Sequence, residues 1–519
     1  MNRITMFLNK YWILLSITVV GTILRLYNLT AISLWHDEAF SALLIKYPWG
    51  EMFYRIGLDV HPPMYYIFLR IWHYVLGDSL FSLRLLSVLF GVGTIIAIYI
   101  LVKKIFNSTS TALAAALLVA VNPFQIQYVT EARMYTMGAF FAVVSAILLT
   151  YALTNTKNYF APSALITKPT KKTLVINYAL FTISASILTY THYYLLFTVA
   201  VLGLFGLFYL FVNFKWQLKT YIGLVLSGIG IAALFVPWFS WFMYQYKQVG
   251  AGYWIPPMNI WSIPSTLYDL LFRIAQPSES IMVLVSILVL WVLYRVIRSY
   301  EQTEKWLILG LFLAPFAGSL LFALLAALKN QSSSVYLVRY FLFASPFLLT
   351  LLVLWFEKIK IAGLKWLALA LIVLVNLYGV GYYWVKLDVG NKKGMAALSS
   401  VTNANVAPTD KIFVASSFEF FNFKYYNKSA VRPLLYTNNN KVENLPHFAG
   451  TAILTNDDLV LNFTDSVASG DTVWLIWTSG FGGTKPIVPN NWEKLEEIGF
   501  IDVRPYPGTY IAAIKYKIN

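Results

Sequence analysis

What most limits the folds open to this chain is its series of apolar stretches, several of them as long as a bilayer is thick. Met134–Thr154 and Tyr194–Asn213 are two examples, and about 20 such residues suffice for a helix to cross the hydrocarbon. Of 519 residues, 59% are hydrophobic and only 12% charged, about half the charge of an average soluble protein. An ordinary cytosolic enzyme is thereby excluded, and the expected fold is an all-α polytopic membrane protein with a small soluble α/β domain at its C-terminus. The chain has no cysteine, so disulfides, thiolate metal sites and cysteine nucleophiles are excluded. A net charge of +16 could suggest nucleic acid. Its distribution points elsewhere: residues 1–385 carry 26 Lys and Arg against 11 Asp and Glu, and residues 386–519 carry 13 against 12. The excess belongs to the membrane part, where it reflects topology and contact with anionic membrane lipids.

Short cytoplasmic loops are enriched in Lys and Arg, which orients the spans. With Arg3 and Lys10 inside, a retained first helix (about Tyr11 to Asn28) delivers Ile32 onward to the outside. Met64–Gly77 is apolar but short and interrupted by Arg70 and His73, so it is expected to lie flat at the interface. Ten further spans follow: Leu80–Val102, Ala112–Phe124, Met134–Thr154, Leu174–Tyr190, Tyr194–Asn213, Tyr221–Trp241, Ile281–Ile297, Trp306–Leu328, Phe341–Phe356 and Trp366–Val385. About eleven spans result, with sixteen basic residues in inner segments and nine in outer ones. Counting Met64–Gly77 as a span would invert that bias. The expected domains are therefore 1–385 in the membrane and 386–519 outside it. The location expected is a cell membrane, bacterial or archaeal, with the amino terminus cytoplasmic and the C-terminal domain extracytoplasmic.

In the C-terminal part, Lys411–Ala415 and Thr472–Trp477 read as strands and Trp492–Ile498 as a short helix. Ile501–Tyr506 and Thr509–Tyr516, joined through Pro507 and Gly508, read as a hairpin.

Ionisable residues near a membrane are costly and point to function. The acidic residues of the membrane part concentrate in the outer loops. Asp37 and Glu38 open the first of these loops in Leu34-Trp35-His36-Asp37-Glu38. A carboxylate there, at the bilayer edge but within reach of water, suits a general base. Asp37 could equally cap a helix 38–47, and on these residues alone the two readings are even. In Asp59-Val60-His61-Pro62-Pro63 the prolines would hold His61 at the membrane surface; taken by itself, a rigid turn with a solvated His is the favoured reading. Glu131 and Arg133 lie where one span ends and the next begins, on the same side. A surface ion pair is the alternative, and convergence with the first loop favours function. His192 and Tyr193 occupy the next outer turn. Arg339 and Tyr340 open a later span, where Arg suits a lipid phosphate that it can grip with two hydrogen bonds or serves as a snorkelling anchor.

Together these motifs resemble the GT-C-fold glycosyltransferases, specifically the family of protein O-mannosyltransferases and aminoarabinose lipid A transferases (glycosyltransferase family 39). The resemblance covers roughly the first 350 residues. It is carried by Asp37-Glu38, Asp59-Val60-His61-Pro62-Pro63, Glu131-Ala132-Arg133-Met134-Tyr135, Thr191-His192-Tyr193 and Arg339-Tyr340. It implies an inverting transfer of sugar from a polyprenyl-phosphate donor to a protein, lipid or glycan acceptor on the outer face. Asp37 would be the base, with Glu38 beside it, and Glu131 the family's second acidic residue. His61, Arg133, Arg339 and Tyr340 would bind the donor phosphate, and Tyr135, His192 and Tyr193 would line the substrate cavity. The Asp-x-Asp metal motif of related oligosaccharyltransferases is missing from the first two outer loops. No obligatory metal is therefore expected, although a divalent metal on His192 and a loop carboxylate is possible. Acceptor specificity could reside in the C-terminal domain.

Two other classes compete. A lipid-linked sugar flippase or polysaccharide transporter would spread ionisable residues through the middle of several spans, whereas here they gather at the outer ends. A catalytically dead glycan receptor is opposed by the retained Asp37 and Glu131.

Overall fold

The computed structural model describes all residues except 1–2, 161–167, 330–332, 388–393 and 503–508. Its helices, in chain order, are α1 (Arg3–Leu26), α2 (His36–Leu44), α3 (Trp49–Leu58), α4 (Met64–Leu76), α5 (Leu80–Phe106), α6 (Thr109–Val121) and α7 (Pro123–Val129). There follow α8 (Tyr135–Phe160), α9 (Lys171–Thr189), α10 (Tyr193–Phe214), α11 (Ile222–Ala251), α12 (Ser262–Leu271), α13 (Glu279–Ser299), α14 (Gln302–Leu307) and α15 (Leu313–Lys329). The last are α16 (Ser345–Phe356), α17 (Ala362–Leu387), α18 (Gly394–Asn405) and α19 (Ser417–Tyr426). The chain forms two compact units: Met1–Tyr27, His61–Tyr65 and Arg84–Tyr383 in one, and Asn28–Val60, Tyr66–Leu83 and Trp384–Asn519 in the other.

The first unit is the helical bundle of a multi-pass membrane protein. Among the described residues nine helical stretches are long and apolar enough to cross a bilayer, and α6 with α7 makes a tenth if that pair, bent by 54°, is one span. The apolar part of α1, Tyr11–Leu26, is shorter. The eleven apolar segments expected from the sequence are thus all helical, but among the described residues nine, or ten with the bent pair, reach the length and apolarity of a span, and Ala112–Phe124 is broken at Asn122. At 13 residues, α4 is too short to span.

The break between α6 and α7 has a chemical origin. Pro123 has no N–H to give the carbonyl of Val119 four residues back, and Asn122 leaves the helical region with ψ 122. The side chain of Asn122 caps α7 by accepting from the Gln125 N–H at 3.0 Å. Its amide donates to the carbonyls of Leu270 and Leu271 and to Asn376. Arg25, fully buried in α1, donates to Val119 O at 3.0 Å and Ala120 O at 2.8 Å. A guanidinium thereby replaces the backbone donor that proline removes, as a break at membrane depth requires.

The second unit is α/β. Strands β1 (Lys411–Val414), β2 (Pro433–Tyr436), β3 (Leu459–Val460), β4 (Thr472–Thr478), β5 (Trp492–Asp502) and β6 (Thr509–Ile518) form one sheet in the order β3-β2-β1-β4-β6-β5. The first four are parallel, while β6 runs antiparallel to β4 and to β5. Phe413, Val473, Leu475 and Ile514 belong to its buried core. Two expectations are corrected here. Trp492–Ile498 is strand, because it pairs with β6 along its length, with an irregularity between Lys494 and Glu496. The β5–β6 pair is the expected hairpin but starts earlier; its turn, Pro507 and Gly508 included, lies outside the described residues. Helix α2 begins at His36, with Trp35 at the N-cap and no side-chain cap. Asp37 therefore sits inside the first turn and is not the cap of a helix 38–47.

Candidate active site

In the first unit, four connections between helices meet at one end of the bundle. The segment before α4 brings His61; the α7–α8 turn brings Glu131 and Arg133; the α9–α10 turn brings His192; the stretch entering α16 brings Arg339 and Tyr340. The first of these is tied down by the Met64 N–H donating to Tyr190 O at 2.9 Å. The second is held by Ser87, whose hydroxyl donates to the Glu131 carbonyl at 2.7 Å.

The side chains converge. Arg133 Nη2 lies 3.3 Å from His61 Nε2, and since a guanidinium can only donate, the imidazole nitrogen accepts. The rings of His61 and His192 are 6.1 Å apart, and His192 stands 4.7 Å from Tyr340 and 6.3 Å from Tyr135. Tyr135 in turn lies 6.2 Å from Tyr340. Arg339 is within electrostatic reach of Glu131, Tyr128 and Tyr135. His192 Nδ1 accepts the Tyr194 N–H at 3.3 Å. Burial, reinforced by His61 and Arg133, holds its imidazole well below the usual range, so His192 is neutral and acts as a hydrogen-bonding group.

Tyr193 faces another way: its hydroxyl donates to Gln245 and accepts from the Trp238 indole on α11. Its neighbour Tyr194 joins the cluster instead, 5.0 Å from Tyr340 and 5.4 Å from His192. Sequence reasoning also missed a half-buried ion pair beside the cluster. Arg273 binds Asp269, donates to Gln127 Oε1 at 3.1 Å and lies over the Phe124 ring. The i,i+4 spacing of Asp269 and Arg273 in a mostly apolar segment was the available signal.

Asp37 and Glu38 belong to the second unit, on the first turn of α2. Glu38 is fully buried and Asp37 partly exposed. Among the described residues no group of three or more His, Asp or Glu side chains stands close enough to hold a metal ion.

Residues 60–241 match the family of dolichyl-phosphate-mannose-protein mannosyltransferases. No curated protein sequence matches the chain. In fold, 96% of the chain matches 97% of ArnT from Cupriavidus metallidurans bound to undecaprenyl phosphate, with a TM-score of 0.60 and 10% identity. For the apo state of the same enzyme the TM-score is 0.61 at 12% identity, over 97% of this chain and 98% of that one. The oligosaccharyltransferase of Archaeoglobus fulgidus in complex with Zn and sulfate matches with a TM-score of 0.50 and 12% identity, over 89% of this chain and 67% of that one. The fold along nearly the whole chain is thus that of the GT-C membrane enzymes, and the segment that carries His61, Glu131 and Arg133 is the one that matches the mannosyltransferase family.

Proposed function

We propose that the protein transfers a sugar, with inversion, from a polyprenyl phosphate to an acceptor on the outer face of a bacterial or archaeal cell membrane. The observation that carries this reading is the convergence of Arg133, His61, His192, Tyr340 and Arg339 from four separate connections onto one end of the bundle. Guanidinium groups in a buried setting bind a phosphate with charge-assisted hydrogen bonds, and the same contacts stabilise the charge that develops as the sugar leaves. Arg133 and Arg339, with His61 and Tyr340, hold the phosphate; Tyr135 and His192 offer ring faces and hydrogen bonds to the sugar. Asp37 takes the proton of the acceptor hydroxyl as its oxygen attacks C1 opposite the phosphate. The C1–O–phosphate bond breaks and its electron pair leaves with the phosphate. Glu38 and Glu131 supply the remaining carboxylates.

The test is to incubate the purified protein with a panel of polyprenyl-phosphate sugars and to identify the consumed donor by mass spectrometry, beside Asp37→Asn. Turnover of one donor, lowered about a hundredfold or more by Asp37→Asn with donor affinity retained, is expected. Consumption of none of them, or movement of intact donor across the bilayer without cleavage, would refute the reading.

A further inference from the structure

The C-terminal sheet has a feature that this chemistry leaves unused. From β1 the chain crosses through α19 to β2 and β3, then returns on the other side of β1 as β4. Such a reversal opens a crevice at the carboxyl ends of the two central strands, where open α/β sheets take their ligands. Here it lies between Val414, which leads through Ser416 into α19, and Thr478, which leads into Ser479-Gly480-Phe481-Gly482-Gly483.

Side chains of the protein itself fill this crevice. The Phe418 ring stands 4.7 Å from Phe481 and 5.0 Å from His36. His36 is also 5.3 Å from Phe421, which meets Phe40 at 6.2 Å. Two left-handed glycines make room for these rings. A Cβ on Gly482 (φ +65) would lie 2.5 Å from Phe418, and one on Gly450 (φ +81) 2.2 Å from Phe421. Hydrogen bonds complete the hold. The Leu34 N–H donates to the Tyr426 hydroxyl at 2.9 Å, the Ala396 N–H to Ser33 Oγ at 3.0 Å, and the Tyr425 hydroxyl to Asp78 O at 2.6 Å. All of these residues belong to the second unit. In the first turn of α2, His36 and Glu38 are buried and Asp37 is left partly exposed.

Resting on Asp37 as the base, we propose that the C-terminal domain is the positioning device for that base: its ligand crevice is occupied by α2, and Phe418, Phe421 and Tyr426 fix the direction in which Asp37 leaves the helix. The crevice is then not an acceptor site.

Phe418→Ala in the full-length protein tests this, with Phe418→Leu as the volume-conserving control and Tyr426→Phe as the variant that removes one hydroxyl. Amide exchange over residues 36–44 should quicken at least tenfold in Phe418→Ala. Because a misplacement of about 1 Å at a reacting group costs about a hundredfold, kcat should fall by about tenfold to a hundredfold on the donor selected by the panel, with its KM within about twofold. Phe418→Leu should recover most of the loss. Asp37→Asn combined with Phe418→Ala should be no slower than Asp37→Asn alone. Unchanged exchange in α2, unchanged kcat in a variant whose α2 has loosened, or additive losses in the double variant would each overturn the proposal. If Phe418→Ala does not fold, Tyr426→Phe decides by the same readings. Near-normal turnover by Asp37→Asn would remove the base, and the proposal with it. The exchange data would still report whether the domain holds α2, so the two failures stay distinct.

Discussion

Replacing Arg25 by Met removes a buried cation from the last turn of α1, and hydropathy alone predicts a gain. The hydrogen bonds predict a loss. Arg25 gives three hydrogen bonds, to Gly21 O at 2.9 Å, Ala120 O at 2.8 Å and Val119 O at 3.0 Å. Gly21 lies within α1, where the backbone N–H of Arg25 itself can serve its carbonyl. Val119 has no such reserve, because residue 123 is proline, and Ala120 sits on the last turn before the 54° bend. Hydrogen bonds to charged groups contribute about 1.5–3 kcal/mol each, net of desolvation, which gives about 3–6 kcal/mol for the two. Interhelical bonds measured in bilayers average about 0.6 kcal/mol, which lowers the total to about 1 kcal/mol. Relief of the buried charge acts in the opposite direction and keeps the loss towards the lower figure. The assay is reversible unfolding in mixed micelles. Arg25→Met should lose about 1–3 kcal/mol on these scales. Arg25→Lys should recover only part of it, since an ammonium lacks the planar fork that reaches two carbonyls. Adding Pro123→Ala to Arg25→Met restores an N–H for Val119 and should regain some stability. An Arg25→Met protein as stable as the parent would refute the reasoning.

Two pH dependences follow from buried groups. Burial holds His192 well below 6.5, so the unfolded chain takes up this proton first; stability should fall as pH drops below about 6.5, and His192→Gln should flatten that slope in chemical unfolding. Glu419 is pushed well above 4.5 by burial and then by Asp502. The unfolded chain therefore loses that proton first, and stability should fall as pH rises above about 4.5, with Glu419→Gln, which can keep an oxygen towards Asn422, gaining at alkaline pH; a parent and variant with parallel pH–stability curves would count against it.

The bundle was legible because its signal is additive. Each apolar stretch announces a helix without reference to any other, and all eleven are helical, although the break at Asn122 inside Ala112–Phe124 was not announced. The C-terminal sheet was legible only in part. Trp492-Glu493-Lys494-Leu495-Glu496-Glu497 reads as helix from its Glu, Lys and Leu, yet it is the edge strand β5, paired on one side with β6 and carrying Glu493, Lys494 and Glu496 exposed. Charges are what an edge strand uses to avoid pairing with a second sheet, so the same residues satisfy both rules. Only the ladder with β6 decides between them, and that ladder is a tertiary fact.

The site divides along the same line. His61, Glu131, Arg133, His192, Arg339 and Tyr340 could be named because a charged or aromatic residue at the end of an apolar span is conspicuous in itself. What could not be read is which of two neighbours turns inward: Tyr194 joins His192 and Tyr340, while Tyr193 goes to Gln245 and Trp238. One residue of helix rotation separates those outcomes by about 100°, and the packing of α10 on its neighbours sets that rotation. Asp37 is a sharper case. An Asp ahead of an apolar run is a good N-cap by local rules, but the rings of Phe418 and Phe421 hold His36 and the helix starts one residue before Asp37. Those rings lie some 380 residues along the chain, and the sequence near Asp37 carries no trace of them. The turn that presents the proposed base is thus set by a partner that no local pattern could reveal, and for that reason a substitution at Phe418 reports on Asp37 more directly than any change in its own loop.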